Sequence, residues 1–225
     1  MNIILFGAPG AGKGTQTDKL SKDFNLYKIS TGDLLRKEIK KDTLLGIEIK
    51  KLIDNGSFVS DKIIESLIEK VIANKSYFNR LIFDGYPRNL SQAKNLDLFL
   101  KKSNQKITCV LILNVPKDII LKRILGRQIC TKCGSIFNSF FNNSSSTNHK
   151  CDPKFLVKRS DDNEKTLKKR FDTYVKSTLP ILEFYKKQKL SYEIDGKGDI
   201  SDIYVKIQAI IASLETWLYF LYSYK

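Results

Sequence analysis

Apolar residues in this chain gather in short unbroken runs. Asn2-Ile-Ile-Leu-Phe6 is the first, and a run without alternation suits a strand buried on both faces. Leu26–Ile29, Arg80–Phe83 and Ile107–Leu113 repeat it, and Tyr192–Ile194 is a weaker copy. Between these runs lie patterns of helical period, as in Ser91–Lys102, Lys117–Leu125 and Glu164–Gln188, and a further helix opens near Lys13. Strands that alternate with helices predict an α/β fold, a parallel sheet carrying helices on both faces.

Two segments break the rhythm. Residues 30–60 read as mainly helical and polar, with no strand signal. Residues 127–159 hold three of the four cysteines, the single histidine and a polar stretch, Asn142-Asn-Ser-Ser-Ser-Thr-Asn148. That insertion is too long for an ordinary connection and reads as a small functional unit. No internal repeat is visible. The end, Leu214 to Lys225, is rich in aromatic residues and too short to span a bilayer; it reads as a terminal helix packed on the core.

Composition narrows the class. With 225 residues, 42% hydrophobic and 28% charged, the chain suits one large or two small globular domains. This excludes a disordered tail, a collagen-like rod and a membrane protein. The apolar start breaks at Gly7 and has no basic region before it, so no signal peptide is expected, and the predicted location is cytoplasmic. Four cysteines in such a chain point to metal binding or burial rather than a disulfide scaffold. The net charge of +15 raises the question of nucleic acid. Only seven of the 39 basic residues are arginines, however, and most of the lysines lie in helical stretches as a solvated face. Where arginine is scarce each one is informative, because a bidentate grip on phosphate needs the guanidinium fork.

Gly7-Ala-Pro-Gly10-Ala-Gly12-Lys13-Gly14-Thr15-Gln16 lies between the first strand and the first helix, where a phosphate-binding loop belongs. Glycines let backbone N–H groups turn toward an anion, and the helix N-terminus adds its dipole. Lys13 reaches the β- and γ-phosphates. Gly14 stands between the lysine and Thr15, a departure from the generic pattern that separates subclasses of such loops.

This loop, with its intervening glycine, resembles that of the nucleoside monophosphate kinases, and the remaining motifs resemble adenylate kinase. They are Ser30-Thr-Gly-Asp-Leu-Leu-Arg36, Asp84-Gly-Tyr-Pro-Arg88 with Gln92, Gly126-Arg127, Arg159-Ser-Asp-Asp162, Arg170 and Asp195-Gly196. The resemblance implies a P-loop three-layer fold with a central five-stranded parallel sheet. It implies a core of 1–29, 61–126 and 160–225, a helical AMP-binding insertion at 30–60 and a small lid at 127–159. The implied reaction moves the terminal phosphoryl group of Mg-ATP to AMP, giving two ADP, in a monomer with neither nucleic acid nor membrane as partner. Lys13, Arg88, Arg123, Arg127, Arg159 and Arg170 would be the catalytic cations. ATP would meet Gly10, Ala11, Gly12, Lys13, Gly14, Thr15, Arg127, Ile136, Phe137 and Gly198. AMP would meet Thr31, Arg36, Ser57, Phe58, Val59, Gly85, Tyr86, Pro87, Arg88, Gln92, Arg159 and Arg170, with the Gln92 amide reading the base edge. Asp33 and Asp84 would position water around Mg²⁺.

Cys130-Thr-Lys-Cys133-Gly134 has the spacing of a zinc knuckle. The family register completes it with His149 and Asp152, whereas preference for sulfur chooses Cys151, and a structural zinc takes at most four of these five. A metal-free lid held by polar contacts is the alternative. Loss of Arg127 or Arg159 is expected to lower activity rather than stability, and loss of Cys130 the reverse. Asn89 is a feature shared with UMP/CMP kinases, while Thr31 and the long insertion favour AMP. UMP/CMP kinase, a GTP:AMP phosphotransferase and, in a different class, a basic P-loop protein that binds nucleic acid are the alternatives.

Overall fold

The computed structural model describes residues 1–41, 43–54, 59–141, 149–159 and 162–223. A five-stranded parallel sheet has the order β2-β3-β1-β4-β8, formed by β1 (Asn2–Gly7), β2 (Tyr27–Ser30), β3 (Leu81–Asp84), β4 (Cys109–Asn114) and β8 (Ser191–Asp195). Every residue of β1 is buried, as the unbroken apolar run requires. β3 pairs in parallel with β1 through Ile3↔Ile82 and with β2 through Ile29↔Phe83. The predicted α/β alternation is therefore present, each strand within two residues of its expected limits. Between the strands run α1 (Lys13–Asp23), α2 (Thr31–Ile39), α3 (Leu44–Asp54), α4 (Asp61–Ile72), α5 (Leu90–Lys102) and α6 (Lys117–Leu125).

The segment after α6 builds a second sheet, antiparallel and three-stranded, from β5 (Arg127–Cys130), β6 (Ile136–Asn138) and β7 (Leu156–Val157). The helical pattern at 164–188 does not form one helix. α7 (Glu164–Thr173) and α8 (Leu179–Lys187) are separated by a π-helical turn at Tyr174–Thr178. Pro180 is the cause: it lacks an N–H and its ring crowds the carbonyl of Lys176, so a regular helix cannot pass through. The last helix, α9 (Ile200–Ser223), buries Ile203, Tyr204, Ile207 and Ile211 at helical spacing. Among the described residues no helix is long and apolar enough to cross a membrane.

Two compact units divide the chain. One contains Met1–Phe6, Thr17–Val110 and Lys176–Ser191, the other Gly7–Gln16, Leu111–Val175 and Tyr192–Lys225. The first is tied by a polar knot beneath β1 and β3. The Asn2 side chain is fully buried, donating to Gln105 Oε1 (3.2 Å) and to the Lys106 carbonyl (3.1 Å). Its own oxygen accepts from Leu81 N–H (3.1 Å), while Gln105 Oε1 also accepts from Asn79 N–H (2.8 Å). Such a knot is stabilising only when complete, since each stranded group costs its desolvation. Asn2→Leu is expected to lower unfolding free energy by about 2 kcal/mol, read as a lower urea midpoint at unchanged slope.

Candidate active site

The phosphate loop is held from both ends, by β1 on one side and the first turn of α1 on the other. Gly10 and Gly12 take left-handed φ values of +86° and +95°, which other residues adopt only with strain. A side chain at Gly10 would also stand 2.7 Å from Ile124 Cγ1. Lys13 is the first residue of α1, and its ammonium folds back to the Gly7 carbonyl at 2.7 Å and the Ala8 carbonyl at 3.0 Å. The backbone N–H groups of a helix start, the dipole and this lysine together make an anion site. Ala11 is buried in the loop, and Gly14 and Thr15 lie in the first turn of α1.

Arg123 of α6 bonds three backbone carbonyls, those of Ala11 (3.2 Å), Gly196 (2.9 Å) and Gly198 (3.2 Å). It thereby pins the turn after β8 to the phosphate loop and brings Gly198 to it. Burial pulls its pKa down, but arginine starts so high that the guanidinium stays charged. Arg127, at the start of β5, makes a two-pronged pair with Asp162: Nε to Oδ2 at 2.7 Å, and Nη2 to Oδ1. The Asp162 side chain is 1% exposed. The sequence pattern contained Asp162 but gave it no role; here it fixes the Arg127 fork. Arg159 follows β7 and Arg170 lies on α7, both half-buried. Ile136 and Phe137 are neighbours on β6 and so face opposite sides of the strand. Phe137 is buried, its ring centroid 4.6 Å from that of His149, while Ile136 is half-buried.

Beside that ring, Cys130, Cys133, His149 and Cys151 bring one ligand atom each within 4.8 Å of one another. Gly134, at φ +75°, closes the turn by donating to the Cys130 carbonyl (2.8 Å). A tetrahedral zinc with sulfur at about 2.3 Å and nitrogen at about 2.0 Å spaces those two ligands about 3.5 Å apart; Cys133 Sγ and His149 Nε2 are 3.5 Å apart. Three thiols and an imidazole are a donor set for zinc, and the geometry fits. Asp152 is not in the group: its carboxylate caps a 3₁₀ turn, accepting from Lys154 N–H at 2.9 Å. Hydrogen bonds from Ser135 pull the Cys133 thiol down to about 6, and desolvation with the neighbouring thiols pushes Cys151 up to about 11. Crowded thiols that resist joint ionisation are what a divalent cation relieves.

The other compact unit carries a second polar cluster. Arg88 Nε donates to the Gly85 carbonyl (2.8 Å) and its Nη2 to Thr31 Oγ1 (3.2 Å). Gly85, at φ +72°, turns the chain there, and a Tyr86–Pro87 cis peptide follows. Arg36 pairs with Asp33, one α-helical turn away. Lys28 lies 2.8 Å from Asp18 and 3.6 Å from Asp84. Burial opposes its charge, but the Asp18 hydrogen bond and the Asp84 and Asp33 charges prevail and raise its pKa. Burial likewise opposes the Asp33 charge, and Arg36 and Lys28 overcome it, so that carboxyl lies below its ordinary range. Thr31, Leu34, Leu35, Ile64 and Leu67 meet in a shallow apolar recess that is too narrow to admit a water molecule. Val59 is buried, and Ser57 and Phe58 lie outside the described residues.

Gln92 is buried on α5, and both ends of its amide are engaged. Oε1 accepts from Arg88 N–H (2.7 Å), and Nε2 donates to Asp61 Oδ1 (2.6 Å). Asn89 caps α5 by accepting from Gln92 N–H (2.9 Å) and donates its own amide to Asp61 Oδ2 (2.9 Å). Asp61 carried no signal in the sequence, because it stands 31 residues from Gln92 and meets it only in the fold.

The model of the adenylate kinase family matches residues 5–190. Among similar proteins, an adenylate kinase of Pelagibacter ubique is 50% identical over 211 residues, covering 94% of this chain and 99% of that protein. Adenylate kinases of Clostridium botulinum and Enterococcus faecalis are 39% and 38% identical over 213 residues, 94% of this chain and 98% and 99% of theirs.

Arg127 and Asp162 are each the other's buried partner, so removing either costs stability as well as any activity. Asp162→Ala is expected to destabilise the protein by about 3 kcal/mol, measured by chemical denaturation. Arg127→Ala, expected from the resemblance to spare stability, is expected from this geometry to fall in the same range.

Proposed function

The chain belongs to the adenylate kinase family, and on that premise we propose that it transfers the terminal phosphoryl group of ATP to AMP, giving two ADP. The observation that carries the reading is the pair of anion sites, each built on a fixed frame of backbone and arginine. The donor phosphates are assigned to the loop Gly7–Thr15 with Lys13, Arg123 and Arg127, and the AMP phosphate to Arg36 and Arg88; the resemblance counts Arg159 and Arg170 among the AMP contacts and the catalytic cations. An oxygen of the AMP phosphate bonds to the γ-phosphorus while the bond from that phosphorus to the β,γ-bridging oxygen breaks, and ADP leaves with the electron pair. The attacking oxygen is already ionised, so no general base is needed; charge neutralisation and alignment do the chemistry.

Asp33 and Asp84 offer the carboxylate oxygens that a hydrated Mg²⁺ takes through its waters. Mg²⁺ held there would supply positive charge that neutralises the phosphates. The AMP base is assigned to the apolar side chains beside Thr31, and the ATP base to Ile136 and the backbone at Gly198, as the resemblance implies. Asn89 is occupied as a helix cap and as a donor to Asp61, which accounts for it without a pyrimidine acceptor.

The division into core (1–29, 61–126, 160–225), AMP-binding insertion (30–60) and lid (127–159) agrees with two features. Residues 30–60 contain α2 and α3 and, among those described, no strand beyond the last residue of β2; residues 127–159 contain their own sheet and the Cys₃His group. A cytoplasmic monomer completes the reading, and four free cysteines suit a reducing compartment.

A coupled assay of ADP formation, with AMP, CMP, UMP and GMP as acceptors and ATP or GTP as donor, tests the reading. AMP with ATP is expected to exceed every other pairing by at least tenfold, and equal or greater transfer to CMP or UMP would overturn it.

We assign the Cys₃His group to a structural zinc that stiffens the lid, since a closed four-ligand site leaves no position for substrate. Protein purified without chelator is expected to carry about one equivalent of zinc, measured by atomic emission. Cys133→Ser should lose most of it and lower the melting temperature, whereas Asp152→Ala should retain it.

A further inference from the structure

We infer that Asp61 decides which nucleobase the acceptor site takes, by locking the Gln92 side-chain amide in one of its two orientations. The inference rests on the reading that Gln92 meets the acceptor base.

An amide is nearly symmetric in shape and opposite in chemistry at its two ends: exchanging the oxygen and nitrogen by a half-turn of the last torsion reverses what it asks of a ligand. A 6-aminopurine shows a donor at position 6 beside a ring nitrogen that accepts. A 6-oxopurine shows an acceptor at position 6 beside an N1–H that donates. An amide free to turn would serve both, so discrimination requires that it be held.

The hydrogen bonds around Gln92 hold it from both ends. The Arg88 N–H can only donate and therefore takes Oε1, at 2.7 Å. The Asp61 carboxylate can only accept and therefore takes Nε2, at 2.6 Å. The half-turn would set the amide oxygen against a carboxylate and the amide nitrogen against an N–H. Gln92 is 2% exposed, so its amide is shielded, while the Asp61 carboxylate meets it from the exposed start of α4. In the observed orientation one N–H and one oxygen lone pair remain of the amide's capacity, a donor beside an acceptor in fixed order.

Asp61 is itself held. It opens α4, whose Ile64 and Leu67 line the apolar recess with Thr31, Leu34 and Leu35, and its other oxygen accepts from Asn89 at 2.9 Å. Asn89 in turn caps α5 at the Gln92 N–H. The carboxylate thus joins the start of α4 to the start of α5 and sets the polar group to be read. It is a positioning residue and touches no substrate.

Replacing the carboxylate with an amide of the same shape removes the charged one of the two anchors and leaves the Gln92 amide held by the Arg88 N–H. The test is Asp61→Asn, with Asp61→Ala as a second variant, assayed on the full protein with AMP and IMP as acceptors at saturating ATP. Binding of each monophosphate is titrated in parallel, and melting temperatures are recorded. In Asp61→Asn the AMP-over-IMP ratio of kcat/KM is expected to fall by about ten- to hundredfold, the worth of a charge-assisted hydrogen bond. The change should appear in the acceptor KM, with the ATP KM unchanged. Asp61→Ala is expected to lose discrimination likewise. Asn89→Ser keeps a helix cap and the Asp61–Gln92 bond, and should keep the ratio.

A contribution to folding alone would weaken AMP and IMP equally and leave the ratio at its wild-type value, which would overturn the inference. Gln92→Ala separates the two readings. Collapse of the ratio in Gln92→Ala with retention in both Asp61 variants would sink the role of Asp61 and leave base reading by Gln92 intact. A ratio unchanged in Gln92→Ala would sink both.

Discussion

The cations proposed to meet phosphate must be in place before the phosphate arrives, and Lys13, Arg123, Arg88, Arg36 and Arg127 are each fixed by contacts within the chain. Lys13 lies on the carbonyls of its own loop, Arg123 on three carbonyls and Arg88 on one carbonyl and a hydroxyl. Arg36 and Arg127 lie on carboxylates. The fold around these contacts supplies the oxygens: the end of β1 for Lys13, the turn after β8 for Arg123, the turn after β3 for Arg88. The two kinds of partner differ in strength. A carbonyl attracts an ammonium or guanidinium weakly enough for an anion to compete, whereas the buried Asp162 holds the Arg127 fork as a fixed plane.

The same logic extends from cations to neutral groups. Gln92 is held by a donor and an acceptor of fixed character, as Arg127 is held by both oxygens of one carboxylate. In each case a side chain with several available poses is reduced to one by a residue far away in sequence. Order established before binding is entropy that the ligand need not supply, which is where a positioned site gains its rate.

The antiparallel sheet after α6 faces a harder problem. Its three strands are four, three and two residues long, too short to bury a core of their own. A Cys₃His group whose spacing fits zinc lies beside them, and the aromatic contact between Phe137 and His149 joins it to β6. The assignment of Cys151 over Asp152 follows from the local backbone: Asp152 is spent on capping the turn at Pro153–Phe155.

The sequence by itself determined whatever depends on neighbours along the chain. Unbroken apolar runs announced buried strands, the glycines around Lys13 announced an anion loop, and the Cys-x-x-Cys turn announced a metal knuckle. The scarcity of arginine singled out the charges proposed to grip phosphate, because only the guanidinium fork bonds in two places. Tertiary structure decided what depends on residues that meet across the fold. It paired Arg127 with Asp162, drew Asp61 against Gln92, chose Cys151 over Asp152, and put Ile136 and Phe137 on opposite sides of one strand. It also broke the helical pattern at 174–178, where periodicity alone could not weigh the missing N–H of Pro180. Local periodicity and turn chemistry act over a few residues and are written in order; hydrogen-bond partners 31 and 35 residues apart exist only once the chain has folded.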